Sequence, residues 1–330
     1  MILVTGAFGC LGSTMVRALV ERGERVVALA RPGESPGTLS DLADHFETRT
    51  ADVRDPEAVA RAMRGIEGVF HLAGVATLTT AAARAMYEIN VLGTANVMRE
   101  ARRAGARVVH TSSVSAIGLP PSEQPADEDF PFNGHLFRHP YPRTKHAGEQ
   151  RVLDEVRRGL DAVILNPGAV MAPGGDGRSA WPAFVGAVCR GKLPFAPPGG
   201  FSMVAAEEFV TAQIRAFEKG TVGERYIVAT QNMTFLELIS SIAGAAGVRP
   251  PRRTVPPRVL AAAAYASLPF ILLVKDPERR PLVSPENLVY LNRNLYYDSR
   301  KSREHLGVAP GSMEESIRSV VSWGRRHGIF

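Results

Sequence analysis

The stretch Ile2-Leu3-Val4-Thr5-Gly6-Ala7-Phe8-Gly9-Cys10-Leu11-Gly12 decides how this chain folds. An apolar run leads into a segment with apolar residues at helical spacing, which predicts a strand, a glycine-rich turn and a helix. Gly6 lets the chain leave the strand tightly, Gly9 leaves room for a phosphate, and Gly12 lets the helix pack against the sheet. The start of the helix attracts anions. We therefore predict that residues 6–12 bind the pyrophosphate of a dinucleotide; a glycine-rich turn without a ligand is the alternative.

The composition is that of an ordinary globular protein. The chain has 330 residues, 45% hydrophobic and 22% charged, with a net charge of +6. Its basic residues are scattered, which argues against nucleic acid as a partner. The two cysteines form no metal-ligand cluster, so we expect no bound metal. Cysteine usage and an apolar strand that begins at residue 2, with no room for a signal peptide, predict a cytoplasmic protein.

Strand and helix patterns alternate over the first half of the chain. The clearest helical patterns cover residues 82–104 and 141–159. This alternation predicts an α/β fold: a Rossmann-type, doubly wound parallel sheet with a smaller C-terminal substrate-binding subdomain. Strands are expected near residues 2–5, 25–30, 47–51, 68–72, 106–112 and 161–166.

The two predicted parts interleave along the chain. Residues 1–170 form the expected dinucleotide-binding domain, and residues 203–229, which read as a helix and a strand, are expected to return to its sheet. Residues 171–202 and 230–330 form the expected substrate-binding subdomain, with a helix from Met233 to Ala246 among its elements.

One apolar run, residues 259–274, carries no charged side chain. It is shorter than the ~20 residues of a membrane-spanning helix, and Pro269 interrupts it. We therefore expect no transmembrane segment and interpret the run as a buried helix or pocket wall. The alternative is a lid or peripheral anchor that meets a lipophilic substrate at the membrane.

The end of the second strand decides between the two nicotinamide cofactors. An acid there would accept hydrogen bonds from the adenosine ribose, but this chain has Arg31. The forked guanidinium suits a 2′-phosphate and favours NADP, with NAD as the alternative. A surface arginine without a ligand is the competing interpretation, and Glu34 lies nearby in the sequence.

The ends of the third and fourth strands carry further candidate cofactor contacts. Asp52, followed by Val53, can accept the adenine amino group; a helix cap is the alternative. The short segment Leu72-Ala73-Gly74 leaves room for the ribose and pyrophosphate. His71, just before it, is expected to be a packed strand residue rather than a catalyst.

The segment Tyr141-Pro142-Arg143-Thr144-Lys145 indicates the chemistry. Tyr141 and Lys145 share one face of a predicted helix. A free phenol has a pKa of about 10, and we expect the neighbouring ammonium to lower it so that Tyr141 serves as a proton donor or acceptor. Thr111-Ser112-Ser113 ends the fifth strand, where a hydroxyl can hold a substrate oxygen beside the phenol.

Over nearly its whole length the sequence resembles the extended short-chain dehydrogenase/reductases. The resemblance implies that Ser113, rather than Ser112, is the catalytic serine, and that Tyr141 and Lys145 also contact the cofactor. It implies that Asn90 supports the site; a helix residue facing a strand is the alternative. The matching segments are Thr5 to Gly12, Asp52-Val53-Arg54-Asp55, His71-Leu72-Ala73-Gly74, Asn90-Val91-Leu92-Gly93-Thr94, Ser112-Ser113 and Tyr141 to Lys145.

Within that superfamily the sequence is most similar to the branch of dihydroflavonol reductases and 3β-hydroxysteroid dehydrogenases. The similarity rests on Asn166-Pro167-Gly168-Ala169-Val170 and on Tyr297-Asp298-Ser299-Arg300-Lys301. It implies that the backbone around Pro167, Gly168 and Val170 faces the nicotinamide amide.

These features predict a carbonyl reductase or alcohol dehydrogenase that moves hydride between NADP(H) and a ketone or secondary alcohol. The apolar run at 259–274 favours a hydrophobic small-molecule substrate, and the resemblance implies a homodimer through residues 82–104 and 141–159. A nucleotide-sugar epimerase using bound NAD is the alternative. The resemblance also disfavours a dehydratase, because dehydratases of this superfamily carry acids directly after the catalytic hydroxyl, where this chain has Val114-Ser115. A non-catalytic cofactor sensor would usually lose Tyr141 or Lys145, and both are present.

Overall fold

The structure is a computed structural model that describes residues 1–77, 80–121, 124–174, 180–274, 283–309 and 311–329. Parts of the predicted substrate-binding subdomain therefore lie outside the described residues. The strands, in chain order, are β1 (Ile2–Thr5), β2 (Val26–Ala30), β3 (Glu47–Thr50), β4 (Gly68–His71), β5 (Arg107–Thr111), β6 (Ala162–Pro167), β7 (Ala169–Met171), β8 (Gly200–Ala205), β9 (Arg225–Val228), β10 (Gln231–Thr234) and β11 (Asn294–Leu295).

Helices flank these strands along the whole chain. A 3₁₀ segment follows β2 (Gly37–His45), and a π-helical turn (Glu88–Gly93) separates the third and fourth helices. The α-helices are α1 (Cys10–Glu21), α2 (Pro56–Ala62), α3 (Ala83–Tyr87), α4 (Thr94–Ala104), α5 (Tyr141–Val156), α6 (Ala180–Cys189), α7 (Ala206–Lys219), α8 (Phe235–Ala246), α9 (Pro257–Ala266), α10 (Leu268–Leu273), α11 (Leu288–Asn292), α12 (Arg300–Leu306) and α13 (Met313–Arg326).

A seven-stranded sheet in the order β3-β2-β1-β4-β5-β6-β9 forms the centre of the molecule. Every neighbouring pair is parallel; in β1, Ile2 pairs with Val26 on one side and with Gly68 on the other. The strand order reverses direction between β1 and β4, which opens a crevice at the carboxyl ends of the strands. Buried apolar clusters cover both faces of the sheet. The predicted Rossmann-type fold is confirmed.

A second, smaller sheet is built around β8. Strand β10 pairs with β8 antiparallel, whereas β7 and β11 pair with it in parallel. An apolar cluster between this sheet and α6, α8 and α13 forms a separate core. Residues 206–219 and 225–228 pack in or on the main sheet, as α7 and β9, but residue 203 lies inside β8. The division into two domains therefore stays a prediction, with its boundary displaced from residue 203.

Besides the helix predicted at 141–159, which ends at Val156, two predicted helices differ from the observed ones. The helix predicted at 82–104 contains the π-helical turn Glu88–Gly93, where α5 packs so closely that a Cβ on Gly148 would lie 2.5 Å from the Asn90 carbonyl oxygen. The helix predicted from Met233 begins at Phe235, because Thr234 caps it and accepts a hydrogen bond from the Glu237 N–H. Both differences follow from contacts that hydrophobic periodicity does not report.

The apolar run at residues 259–274 is mostly exposed, so its interpretation as a buried helix or pocket wall is wrong. It forms α9 and α10, which separate at Ser267 ahead of Pro269. Leu260 and Ala264 are buried, but Phe270 and Leu273 are 54% and 80% exposed. Within the described ranges, no helix is long and apolar enough to cross a bilayer.

Candidate active site

The glycine-rich turn is shaped by contacts that leave no room for side chains. Gly6 has a φ of +67°, and a Cβ there would lie 2.9 Å from the Ala73 nitrogen. A Cβ on Gly12 would lie 2.0 Å from the Gly6 carbonyl oxygen. At Gly9 the nearest atom to such a Cβ is that same oxygen at 3.4 Å, so the outer side of the turn is open. Gly9 precedes α1 and provides no side-chain cap, which leaves a cradle that fits a pyrophosphate.

The other residues of the turn pack beneath or beside it. Ala7 is fully buried in the core, so any contact with a phosphate would use its backbone. The Phe8 ring packs on Phe46 with centroids 6.3 Å apart. Cys10 begins α1. Leu11 borders the cavity described next. Contacts of these residues with a dinucleotide stay a prediction.

A cavity of about 380 Å³ opens at the carboxyl ends of β4, β5 and β6. Lys145 is the one charged side chain among its described lining residues. Most of the predicted catalytic and nicotinamide-proximal residues meet here. Those that line the cavity are Leu11, Leu72, Gly74, Thr111, Ser113, Tyr141, Lys145, Pro167, Gly168 and Val170.

Tyr141 and Ser113 stand together in this cavity. Tyr141 begins α5, and Ser113 follows β5 and accepts a hydrogen bond from the Ser115 N–H at 3.2 Å. Burial raises the pKa of Tyr141 above its ordinary value, and a hydrogen bond with the Ser113 side chain partly opposes this. Without a cofactor, burial and Ser113 rather than Lys145 govern the pKa of this phenol, so the ammonium alone does not produce the expected lowering. A neutral phenol beside a serine hydroxyl is a proton donor.

Lys145 is buried one turn further along α5. Its Nζ donates a hydrogen bond to the Thr111 carbonyl oxygen at 2.8 Å. Burial lowers the pKa of Lys145 to about 8, while the negative charge of Glu149 acts in the opposite direction. The ammonium is thus held at the end of β5, on the side of the cavity where Gly74 lies.

Glu149, which the sequence analysis did not find, binds a buried amide beside Ser113, and its Oε2 lies 3.6 Å from Arg225 Nη1. Its Oε1 accepts a hydrogen bond from Asn166 Nδ2 at 2.5 Å, and the same Nδ2 donates to the Ser113 carbonyl oxygen at 2.9 Å. Glu149 and Asn166 are fully buried. Tyr141, Lys145 and Glu149 follow one another at successive turns of α5, a spacing that could have revealed the third member.

The Lys145–Glu149 pair predicts the alkaline limit of ketone reduction. The ammonium is charged below pH 8 and loses its proton above it, so kcat/KM is expected to fall as pH rises through about 8. In Glu149→Gln, kcat/KM should fall at a pH lower by about one unit, because the negative charge that favours the ammonium is gone. A pH profile of NADPH-dependent ketone reduction measures this fall in the wild type and in the variant.

Three buried groups near Lys145 have pKa values that are shifted away from that range. Burial lowers the pKa of His71 to about 3 and holds that of His110 well below its ordinary value, and the pKa of Tyr141 is raised. Asp154→Asn, on the outer side of the same helix, is the matched control and should not change the pH at which kcat/KM falls. Superimposable profiles for wild type and Glu149→Gln would contradict this assignment.

Asn90 positions the loop that follows β4. Its Oδ1 accepts from the Val75 N–H at 2.8 Å, and its Nδ2 donates to the Val75 carbonyl at 3.0 Å. The same Nδ2 reaches Thr144 Oγ1 at 3.2 Å. Because its amide is engaged with protein groups on both sides, Asn90 is suited to hold Gly74 and α5 in place rather than to contact substrate.

His71 is a packed strand residue, as expected. It is fully buried, with Nδ1 2.7 Å from Thr5 Oγ1 and Nε2 3.1 Å from Thr94 Oγ1. Its ring stacks on His110 with centroids 5.2 Å apart. Nothing in this arrangement offers a proton to the cavity.

The candidate adenosine-binding residues lie at the rim of the main sheet, away from the cavity. Arg31 is ion-paired with Glu34, Nη2 to Oε1 at 2.7 Å, although 71% of the arginine side chain is exposed. Asp52 pairs with Arg54 at 2.6 Å and does not cap α2. That cap is Asp55, which accepts from two N–H groups of the first turn. Val53, next to Asp52, is buried and accepts from Asn96 Nδ2 at 3.0 Å.

The far wall of the cavity is aromatic, and the sequence analysis did not find it. Trp181 packs on Phe201 with centroids 5.8 Å apart, and Phe201 packs on Phe235 at 5.0 Å. Phe184 and Tyr290 complete this wall. These residues come from α6, β8, α8 and α11, so no local pattern in the sequence connects them. Among the described residues, no group of His, Cys, Asp and Glu is arranged to hold a metal ion.

Comparison with known proteins agrees with this geometry. The sequence model of the NAD dependent epimerase/dehydratase family matches residues 2–229. Sterol demethylase protein B of Methylococcus capsulatus is 34% identical over 340 residues, covering 99% of both chains. A 3beta-hydroxysteroid-dehydrogenase/decarboxylase isoform of Arabidopsis thaliana is 26% identical, covering 97% of this chain and 78% of that protein. The crystal structure of gox2253 superposes with a TM-score of 0.87 at 30% identity, covering 100% and 99% of the two chains.

Proposed function

Since this chain belongs to the NAD-dependent epimerase/dehydratase family and is an oxidoreductase of its reductase branch, we propose that it is an NADP(H)-dependent carbonyl reductase or alcohol dehydrogenase. Its substrate is a ketone or secondary alcohol on a hydrophobic molecule. We infer this substrate class from the cavity of this chain.

The observation that carries the proposal is the two-ended cavity. Ser113, Tyr141 and Lys145 stand at one end, and the aromatic wall around Trp181 and Phe201 forms the other. A polar end aligned with an apolar wall suits a carbonyl or hydroxyl group on an apolar body.

The residues of the cavity divide the chemistry among themselves. A nicotinamide cofactor bound along the glycine-rich turn would supply or accept the hydride. Tyr141 donates its phenolic proton to the substrate oxygen in reduction and takes it back in oxidation. The Ser113 hydroxyl orients that oxygen beside the phenol, and Lys145 provides positive charge that stabilises the phenolate after proton transfer.

The same cavity disfavours the alternative, a nucleotide-sugar epimerase. A nucleoside diphosphate carries two phosphates that proteins commonly bind through arginine. Among the described lining residues of this cavity there is no arginine, and the one cation, Lys145, is already bonded to the Thr111 carbonyl.

A cofactor and substrate survey tests the proposal. We expect loss of NADPH absorbance with lipophilic ketones, and turnover of the corresponding secondary alcohols with NADP. If no ketone or aldehyde oxidises NADPH while a UDP-sugar is converted with bound NAD, the epimerase assignment replaces ours.

We expect the Arg31–Glu34 pair to control cofactor preference. Glu34 occupies the guanidinium that a 2′-phosphate would use, so Glu34→Gln should strengthen NADPH binding by about tenfold, and Arg31→Ala should weaken it by a similar factor. NADH binding should change little in either variant. Dissociation constants from the quenching of protein fluorescence measure these effects; equal changes for both cofactors would contradict the role of Arg31.

Assembly and location are part of the proposal. Tyr87 and Leu92, on the element formed by α3 and the π-helical turn, are 50% and 45% exposed, which supports a homodimer formed through α3, α4 and α5. The sparse cysteine usage, with Cys10 and Cys189 as the two cysteines of the chain, supports a reducing cytoplasm.

A further inference from the structure

We propose that α9 and α10 form a docking face that binds the surface of a bilayer containing anionic phospholipid, beside the entrance for a lipid-borne substrate. The purpose of this face rests on the proposed function, since it explains how a hydrophobic ketone reaches the cavity. The binding itself is independent of catalysis.

The docking face consists of exposed apolar side chains on two consecutive helices. The described residues expose ten large apolar side chains, and half of them belong to α9 and α10. A soluble monomer rarely exposes apolar groups in such a cluster without a partner. The five are Val259 (57%), Tyr265 (47%), Leu268 (39%), Phe270 (54%) and Leu273 (80%).

Positive charge borders this apolar face. Arg258 lies on the same side of α9 as Tyr265, two helical turns apart. Arg138 contacts Tyr265 directly, with Nη1 3.1 Å from the hydroxyl. Arg252 and Arg253 precede α9, and they and Arg258 are exposed with no ion pair to any described residue. Exposed guanidinium groups beside an apolar helix face match an anionic membrane surface.

The docking face lies next to the cavity. Phe137, beside Arg138, is buried against Tyr290 with ring centroids 5.8 Å apart, and Tyr290 lines the cavity. The same loop leads directly into Tyr141. Helix α11, which carries Tyr290, packs against α9. Helix α9 therefore lies behind the wall of the cavity that Tyr290 forms, and α10 follows it.

A second copy of the chain fits this face less well. In a two-fold symmetric contact each arginine-bordered face would meet its own equivalent, which brings like charges together. The elements proposed for the homodimer, α3 to α5, are also different ones. A bilayer accepts the apolar side chains and supplies the complementary charge at once.

Vesicle co-sedimentation tests the proposal. We expect the full-length protein to sediment with vesicles that mix phosphatidylglycerol and phosphatidylcholine, and to bind pure phosphatidylcholine much more weakly. The double variant Phe270→Ser/Leu273→Ser should lower the partition coefficient at least about tenfold. Each of Arg252→Ala, Arg253→Ala and Arg258→Ala should lower it by about fivefold, and added salt should do the same.

Val222→Ser is the matched control, because Val222 is a 46% exposed valine outside the docking face and should leave the partition coefficient unchanged. Reduction of a water-soluble ketone should be the same in Phe270→Ser/Leu273→Ser and wild type. Absence of vesicle binding by the wild-type protein, or equal binding by that double variant, overturns the proposal. A dimer that the double variant dissolves would assign the face to a second copy and overturn it as well. An inactive protein that still binds vesicles would refute the proposed reaction and leave the docking face standing.

Discussion

Replacing Tyr141 by phenylalanine is expected to lower kcat for ketone reduction by about a thousandfold or more while leaving NADPH affinity nearly unchanged. In the proposed reaction the phenol donates the proton, and its hydrogen bond with Ser113 holds it at the polar end of the cavity. The variant loses one oxygen atom and keeps the ring, so the shape of the cavity is conserved. Steady-state kinetics with NADPH titrations separates the two effects.

Tyr226→Phe is the control for this experiment. Its phenol is also buried, but it lies in β9 and accepts a hydrogen bond from the Thr221 N–H at 3.2 Å, away from the cavity. It should lower the free energy of unfolding by about 1 kcal/mol and leave kcat unchanged. Survival of ketone reduction in Tyr141→Phe would remove the tyrosine from the mechanism.

The second large effect is expected from Gly12→Ala. The new Cβ would lie 2.0 Å from the Gly6 carbonyl oxygen and 2.9 Å from Ala7 Cα, so the turn and α1 must move apart. We expect a loss of about 1–3 kcal/mol in the free energy of unfolding. Because the displaced turn no longer positions the cofactor, kcat/KM should fall about a hundredfold. Urea denaturation measures the loss of stability, and steady-state kinetics at varied NADPH concentration measures the loss of kcat/KM.

Substitutions at two further glycines distinguish an effect on packing from an effect on cofactor binding. Gly9→Ala should keep its stability, because the new Cβ meets nothing nearer than 3.4 Å and φ is −74°, but its methyl group occupies the open side of the turn and should weaken NADPH binding. Gly244→Ala in α8 has open space around it, so it should raise the free energy of unfolding by about 0.5–1 kcal/mol and leave NADPH binding unchanged. Equal stability of Gly12→Ala and wild type would contradict the packing argument.

Local patterns in the sequence predicted the main sheet and the cavity's polar end well. The alternating strand and helix patterns located the strands from β1 to β6 within a residue of their observed ends, including β3, which is polar. The helical spacing of Tyr141 and Lys145 predicted that both lie on one face of a helix. The position of Ser113 after the end of β5 predicted that its hydroxyl lies near them. Parallel strands end at one edge, so residues from separate segments converge there without any long-range signal.

Contacts between distant segments could not be predicted in this way. The π-helical turn that carries Asn90 follows from the close approach of Gly148, and the aromatic wall comes from four separate elements. The raised pKa of Tyr141 depends on burial, which spacing along one helix does not reveal. The exposed face of α9 and α10 was misinterpreted for a related reason, because an apolar run does not say whether other segments cover it.

In the proposed reaction, hydride passes between nicotinamide and a substrate carbon within this cavity. The most direct measurement uses NADPH deuterated at the transferring C4 position, a lipophilic ketone and mass spectrometry of the product. The account predicts an alcohol that carries one deuterium on its carbinol carbon, formed at a rate that Tyr141→Phe abolishes. An alcohol without deuterium, or intact deuterated NADPH beside an epimerised nucleotide sugar, would contradict it.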